Sequence, residues 1–186
     1  MLQLLQYIYR LKMTSIYASI LLVCCSAIPA SNAPGPNNEN TIKALFIYNF
    51  TKQIEWPSSN LNKPTFQICV INDLEIADKL NEIVKGRKFS DKNFEVKNIS
   101  KIKEAIGSQI LFIPRSKWKK IESEINSISH DGLLIITEEK NIPNSFSSIN
   151  LIEINEQMRF EINQNTTKKQ NLKISNSLIK LAFNAQ

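Results

Sequence analysis

Four short apolar runs, separated by stretches with helical spacing, constrain the fold of this chain more than any other feature. They are Phe66–Ile71, Phe94–Ile99, Gln109–Ile113 and Leu133–Ile136. Continuous runs of this length suit strands buried on both faces, and Phe94–Ile99 alternates with the period of two that a half-buried strand requires. The segments between them are helical in pattern. Asp73 caps a stretch through Val84 that places Leu74, Ala77, Leu80, Ile83 and Val84 on one face, and Gly86 ends it. Ser100 caps a short helix over 101–106 that Gly107 closes. Ser116–Ser127 turns Trp118, Ile121 and Ile125 inward, with Ile128 just beyond. Pro114 stops the third strand, and His130-Asp131-Gly132 makes the turn before the fourth. The alternation predicts an α/β fold with a mostly parallel sheet flanked by helices, a Rossmann-like three-layer architecture.

The flanks of this pattern differ from its middle. Lys43–Pro57 (KALFIYNFTKQIEWP) carries four aromatics in fifteen positions. Ile42, Phe46, Phe50 and Ile54 recur every four residues, which a helix lines up as one stripe. Leu45 and Ile47 widen the stripe, while Lys43, Thr51, Lys52 and Glu55 face water. Asn38 or Asn40 can cap this N-terminal aromatic helix, and Pro57 ends it at Trp56. After the fourth strand the pattern becomes Ser147–Ile154 and Met158–Asn163 around Asn155-Glu156-Gln157, a late β-hairpin. A C-terminal helix over Ser175–Ala185 buries Leu178, Leu181, Ala182 and Ala185.

The first 33 residues read as a secretory signal. Arg10 and Lys12 supply the positive end, and Ser15–Cys25 is apolar but short for a membrane span. Small residues follow, so cleavage falls after Ala30 or Ala33, and Met13 offers an alternative start. Cys24 and Cys25 raise a lipoprotein alternative, which the residues before them, Val23 and Cys24, disfavour. Residues 34–40 form a linker and 41–186 a single domain. Removing the signal leaves Cys69 alone, a free buried thiol in an apolar run. The formal net charge is +6, and loss of residues 1–33 leaves 21 basic and 17 acidic residues, a net +4. Those charges are interspersed, which describes a solvated mixed surface and not a nucleic-acid face.

Catalytic and metal-binding patterns are missing from the sequence. Gly35, Gly86, Gly107 and Gly132 are scattered and form no phosphate-cradling loop. His130 sits next to Ser129 and Asp131, whereas a triad needs groups converging from separate segments. One histidine and one thiol do not complete a zinc site. Glu122, Glu124, Glu138 and Glu139 read as solvated charges, and no cofactor is implied. A hydrolase built on a carboxylate pair is the least supported alternative. The polar set with most content is Arg87, Asn150, Arg159, Glu161 and Asn163. Arg159, Glu161 and Asn163 share one side of a strand whose other side carries Phe160 and Ile162. This is either an ordinary surface pair, the commoner case, or a face that recognises a partner or a small anion.

Several segments together resemble the YfiR family. They are Lys43–Phe50 through Glu55-Trp56-Pro57, Phe66–Ile71 with Asp73, Gly86-Arg87, Ile110–Ile113, Leu133–Thr137, Ile149–Ile152, Arg159-Phe160-Glu161-Ile162-Asn163, and Leu172–Ser175 with Leu178–Ala182. The resemblance covers about Lys43–Ala182. It implies a periplasmic, non-enzymatic α/β protein that restrains a membrane-bound GGDEF-type diguanylate cyclase by binding its periplasmic sensor region. It further implies relief by an OmpA-like outer-membrane lipoprotein and self-association as a homodimer. Tyr48 and Trp56 are then the expected partner-facing aromatics, joined by the Arg159–Asn163 hairpin face. The alternative is a ligand-binding sensor module feeding a histidine kinase or another membrane sensor, with Arg87, Arg159 and Glu161 around a small anion or an amino-acid-like molecule. Family members often carry a cysteine just before the strand that is Ile110–Ile113 here, able to pair with the one matching Cys69. This chain has Ser108-Gln109 there, so that disulfide is not expected.

Overall fold

The computed structural model describes residues 36–138 and 146–185, with side chains from Glu39 onward. The proposed signal segment, the start of the linker and Glu139 lie outside the described residues. The elements in order are α1 (Pro36–Phe50), β1 (Ile54–Glu55), β2 (Thr65–Ile71), α2 (Leu74–Val84), β3 (Lys88–Phe89), β4 (Lys92–Ile99), β5 (Ile110–Ile113), α3 (Arg115–Ile121), β6 (Leu134–Thr137), β7 (Ile149–Ile154), β8 (Gln157–Ile162), α4 (Gln164–Lys169), β9 (Lys173–Ile174), α5 (Asn176–Leu181) and β10 (Asn184–Ala185). Short 3₁₀ turns lie at Ser58–Leu61, Ile102–Ala105 and Ile125–Ser127.

The four apolar runs are β2, β4, β5 and β6, and they pair in parallel. The full sheet runs β10-β8-β7-β6-β5-β2-β4-β3. It is mixed: β3 pairs antiparallel with β4, and β7 with β8, while β10 returns parallel to β8. The expectation of a mostly parallel sheet therefore needs amending at both edges. Two tight turns explain this, because a chain that reverses within two residues can only pair antiparallel. Asn155 and Glu156 both adopt positive φ, 50° and 61°, the geometry that matches hairpin twist.

Over the parallel strands the order is β4-β2-β5-β6-β7. Chain progress therefore reverses between β2 and β5, as in doubly wound sheets. Helices on either side of the reversal cover opposite faces. One core packs α1, α2 and α5 on Phe66, Ile68, Val70, Phe112, Ile136, Leu151 and Phe160. The other packs α3 and two 3₁₀ turns on Cys69, Ile71, Leu111, Ile113 and Ile135. This is a helix–sheet–helix sandwich, with Asp73 capping α2 by accepting from the Ile76 N–H at 3.1 Å.

Several boundaries differ from the sequence expectation. Helix α1 starts at Pro36, within the expected linker and with proline where its missing N–H is harmless, so Asn38 and Asn40 lie inside it. It ends at Phe50 and not at Trp56. The Thr51 hydroxyl and N–H both turn back to the Tyr48 carbonyl, and Ile54–Glu55 leaves to pair antiparallel with Lys173–Ile174. The buried face of α1 is thus Ala44, Ile47, Tyr48 and Phe50, while Leu45 is exposed and Thr51 is buried. The expected helix over 116–127 is α3 followed by a 3₁₀ turn. The expected helix over 175–185 stops at Leu181, because Phe183–Ala185 joins the edge of β8. Leu74 and Leu181, both expected inside, are exposed.

Candidate functional site

The two most distinctive segments of the sequence meet in the first core. The Phe160 ring of β8 packs edge-on against Phe50 at 5.3 Å and Phe46 at 5.8 Å. Each such pair adds about 0.5–1.5 kcal/mol beyond burial. The polar side of β8 therefore faces away from α1, and the aromatic helix supports the hairpin from beneath.

That polar side carries a register row across four strands. Thr137 of β6 lies opposite Asn150 of β7, Asn150 opposite Glu161 of β8, and Glu161 opposite Asn184 of β10. The Thr137 hydroxyl donates to Asn150 Oδ1 at 3.0 Å, and Asn150 Nδ2 donates to Glu161 Oε2 at 3.3 Å. Ser147 adds its hydroxyl to Thr137 at 2.8 Å. The row runs from a buried hydroxyl to a half-exposed carboxylate, so Glu161 is held by a neutral donor and not by Arg159. Arg159 is exposed and donates to Gln157 at 3.1 Å. Asn163 turns its side chain to cap α4, accepting from the Thr166 N–H at 2.9 Å.

Tyr48 and Trp56 take positions other than those expected of partner-facing aromatics. Tyr48 is 8% exposed and Trp56 is 7% exposed. The Trp56 ring is caged by Phe66 at 4.9 Å and Phe89 at 5.6 Å, and its N–H donates to the Gln109 carbonyl at 3.1 Å. The missing cue in the sequence was the short strand β3, which brings Phe89 over the indole. The Tyr48 hydroxyl accepts from Arg87 at 3.2 Å, and Arg87 and Lys52 both lie over its ring, at 5.0 and 4.4 Å from the centroid. The Arg87 hydrogen bond leads in drawing the Tyr48 pKa below its ordinary value.

Arg87 is thus anchored to α1 just before β3, at the opposite end of the sheet from β8. Five strands lie between, roughly 25–30 Å at the usual strand spacing. Arg87, Arg159 and Glu161 do not converge, and the anion pocket they were expected to frame does not form.

A different charged centre does form, at the carboxyl ends of the parallel strands. Glu138 follows β6 directly and is 7% exposed. Its carboxylate accepts from Lys43 Nζ at 2.7 Å and from the Arg115 backbone N–H at 3.2 Å, while Arg115 Nε donates to its carbonyl at 2.9 Å. Lys43 also reaches Glu39 at 2.6 Å, one helical turn back. Burial opposes the Lys43 ammonium, but the two carboxylates outweigh it and raise the lysine pKa. Lys43 and Glu138 were both expected to face water. The available signal was position: a charged residue directly after a continuous apolar strand falls where doubly wound sheets open a crevice.

Cys69 is buried and free, with its pKa raised by desolvation, so the thiol stays protonated. His130 Nε2 donates to the Ile125 carbonyl at 2.8 Å, and its ring lies edge-on to Phe146, consistent with a turn residue. Among the described residues no group of His, Cys, Asp and Glu is arranged to hold a metal ion, and no helix is long and apolar enough to cross a membrane.

A family model described as YfiR/HmsC-like matches residues 40–183. No curated protein matches the chain. The match takes in both cores, the hairpin and the closing segment, well over half of the sequence. The chain belongs to the YfiR/HmsC-like family.

Proposed function

From membership of the YfiR/HmsC-like family, we propose that this chain is a periplasmic regulator that binds and restrains the periplasmic sensor region of a membrane signalling protein of the diguanylate cyclase type. The family match over residues 40–183 carries this proposal. The secretory character of residues 1–33 supports the compartment. An OmpA-like lipoprotein that relieves the restraint, and a second copy of the chain as partner, belong to the same scheme.

The binding surface is the hairpin with the closing edge of the sheet. Arg159 and Gln157 are exposed on β8. Beside them the Phe183 N–H donates to the Phe160 carbonyl at 2.8 Å, which seats Phe183 at the sheet edge. Phe183 is 60% exposed and Leu181 is 68% exposed, so arginine and large apolar groups adjoin there. Arginine and aromatic residues are the usual anchors of protein interfaces. Asn150, Glu161 and Asn163 hold the strand behind this surface, and Tyr48 and Trp56 support it only through the core.

Co-purification with the periplasmic region of the membrane sensor encoded beside this chain tests the proposal. Arg159→Ala with Phe183→Ser is expected to weaken binding at least about tenfold, while Tyr48→Phe leaves it intact. Unchanged binding by the folded double variant would sink the surface assignment, and no binding by the parent chain would sink the regulatory role for that sensor.

A further inference from the structure

A crevice of about 370 Å³ opens at the carboxyl ends of β2, β5, β6 and β7, with the Lys43–Glu138 pair among its lining residues. We infer that it is a binding site for a small aliphatic diamine or polyamine. The crevice takes Leu151, Ile152, Glu153 and Met158 from the hairpin but neither Arg159 nor Phe183, which carry the partner surface, so the two proposals fail independently.

The first support is place and size. The crevice lies where the strand order reverses, which is where doubly wound sheets receive ligands, and its volume falls in the range of about 300–1,000 Å³ usual for small-molecule sites. The second is the sign of its charge. Its lining carries four carboxylates, Glu39, Asp73, Glu138 and Glu153, against two cations, Lys43 and Arg115. That is a net −2 on a chain whose formal net charge is +6. The local field thus runs against the whole and selects a cation.

Availability sharpens the choice. Lys43 is spent on Glu39 and Glu138, and the Arg115 Nε is spent on the Glu138 carbonyl. Glu153 makes no ion pair among the described residues, and Asp73 commits one oxygen to the first turn of α2 and keeps the other. These carboxylates lie on different elements, α2 and β7, and no group of them is arranged for a metal ion. Separated carboxylates suit an ion whose charges are also separated. The same lining includes the apolar Leu151, Ile152 and Met158, which fits a methylene chain better than a hydrated ion. A diamine places an ammonium at each end of such a chain, and its two charges match the net −2.

The test titrates the purified protein at fixed ionic strength with putrescine, spermidine, butylamine, magnesium and succinate, read by calorimetry and thermal midpoint. Putrescine and spermidine are expected to bind saturably and raise the midpoint, with butylamine at least about tenfold weaker. Glu153→Gln is expected to weaken putrescine about tenfold, and adding Asp73→Asn to weaken it further. Asparagine caps helices as well as aspartate does, so folding survives, and the exposed Glu153 makes its single variant an independent check. No saturable binding of either polyamine overturns the inference. So does an equal shift with magnesium, which would mark a general counter-ion effect, or tighter binding of succinate, or undiminished putrescine binding in both variants.

Discussion

Lys43→Met isolates the energetic role of the Lys43–Glu138 pair. Methionine keeps most of the aliphatic stem and removes only the ammonium. Two carboxylates lose a partner, and they are not equivalent. Glu39 is on the same helix with 49% of its side chain exposed, so its share is about 0.3–0.5 kcal/mol. Glu138 is 7% exposed, and stripping one partner from a buried pair costs about 3–5 kcal/mol. The Arg115 N–H stays at 3.2 Å and keeps the carboxylate partly satisfied, which places the cost near the bottom of that range, about 3 kcal/mol. Urea unfolding, followed by the fluorescence of the buried Trp56 and Trp118, measures it. Glu39→Gln should cost no more than about 0.5 kcal/mol, and Lys43→Met with Glu138→Gln should recover about 2 kcal/mol of the single-variant loss. The pH dependence has a definite sign. A lysine whose folded pKa is raised contributes stability that is full below its unfolded value, about 10.4, and that is lost as pH rises through the higher folded value. The gap between parent and Lys43→Met should therefore stay level from neutral pH upward and close in strong alkali. A loss under about 1 kcal/mol, or one that Glu39→Gln reproduces, would refute the assignment of the cost to a buried pair.

Other parts of the structure make equally definite predictions. Burial raises the Cys69 pKa and the Ser108 side chain opposes that rise, which makes the two side chains neighbours, so Ser108→Cys should form a disulfide under mild oxidation. Mass and thiol titration detect it, closure of the intervening chain is worth up to about 4 kcal/mol, and two titratable thiols in the denatured, oxidised variant would refute it. Gln109 accepts from the Gln67 N–H at 2.6 Å and donates to the Asn60 carbonyl at 2.6 Å, so Gln109→Ala should cost about 2–4 kcal/mol in urea unfolding and loosen the Ser58–Leu61 turn to protease. Glu95 accepts from Gln67 and then Thr65, which lower its pKa; its contribution is present above about 4.3 and lost as pH falls through the depressed value. Stability of Glu95→Gln should accordingly fall less than that of the parent between about pH 5 and pH 3, measured by chemical denaturation.

The layers of the fold were legible because burial leaves a local trace. A strand covered on both faces must be apolar throughout, and β2, β5 and β6 show this in consecutive residues. The edges were not legible, because what fixes them is non-local. Ile54–Glu55 is a strand only because Lys173–Ile174 arrives beside it, 119 positions later, and α1 cannot signal that in its own periodicity. Phe183–Ala185 reads as the end of an amphipathic helix until β8 offers an unpaired edge. Propensity yields in both places to hydrogen bonds whose partners are remote in sequence. Burial of Tyr48 and Trp56 was hidden for the same reason, since the rings that enclose the indole come from β2 and β3.

The charged centre shows the same limit from the side of function. Lys43, Glu138 and Arg115 are ordinary surface residues by composition, and the one local mark is the place of Glu138 directly after an apolar strand. They become a site only through topology. The strand order reverses between β2 and β5, the chain leaves β6 at Glu138, and α1 crosses the same end of the sheet one turn after Glu39. A buried ion pair is weak evidence for stability, since an apolar pair of like volume often serves as well. Its placement in the lining of the crevice gives it another use. It fixes the first turns of α1 to the end of β6 while leaving Asp73 and Glu153 unneutralised around an apolar wall. The same residues that cost desolvation energy thus define which charge the crevice admits. Glu153 belongs to the hairpin strand β7, but Arg159 and Phe183 are not among the crevice-lining residues and Asp73 and Glu153 are, so the partner surface and the crevice are separable by mutation.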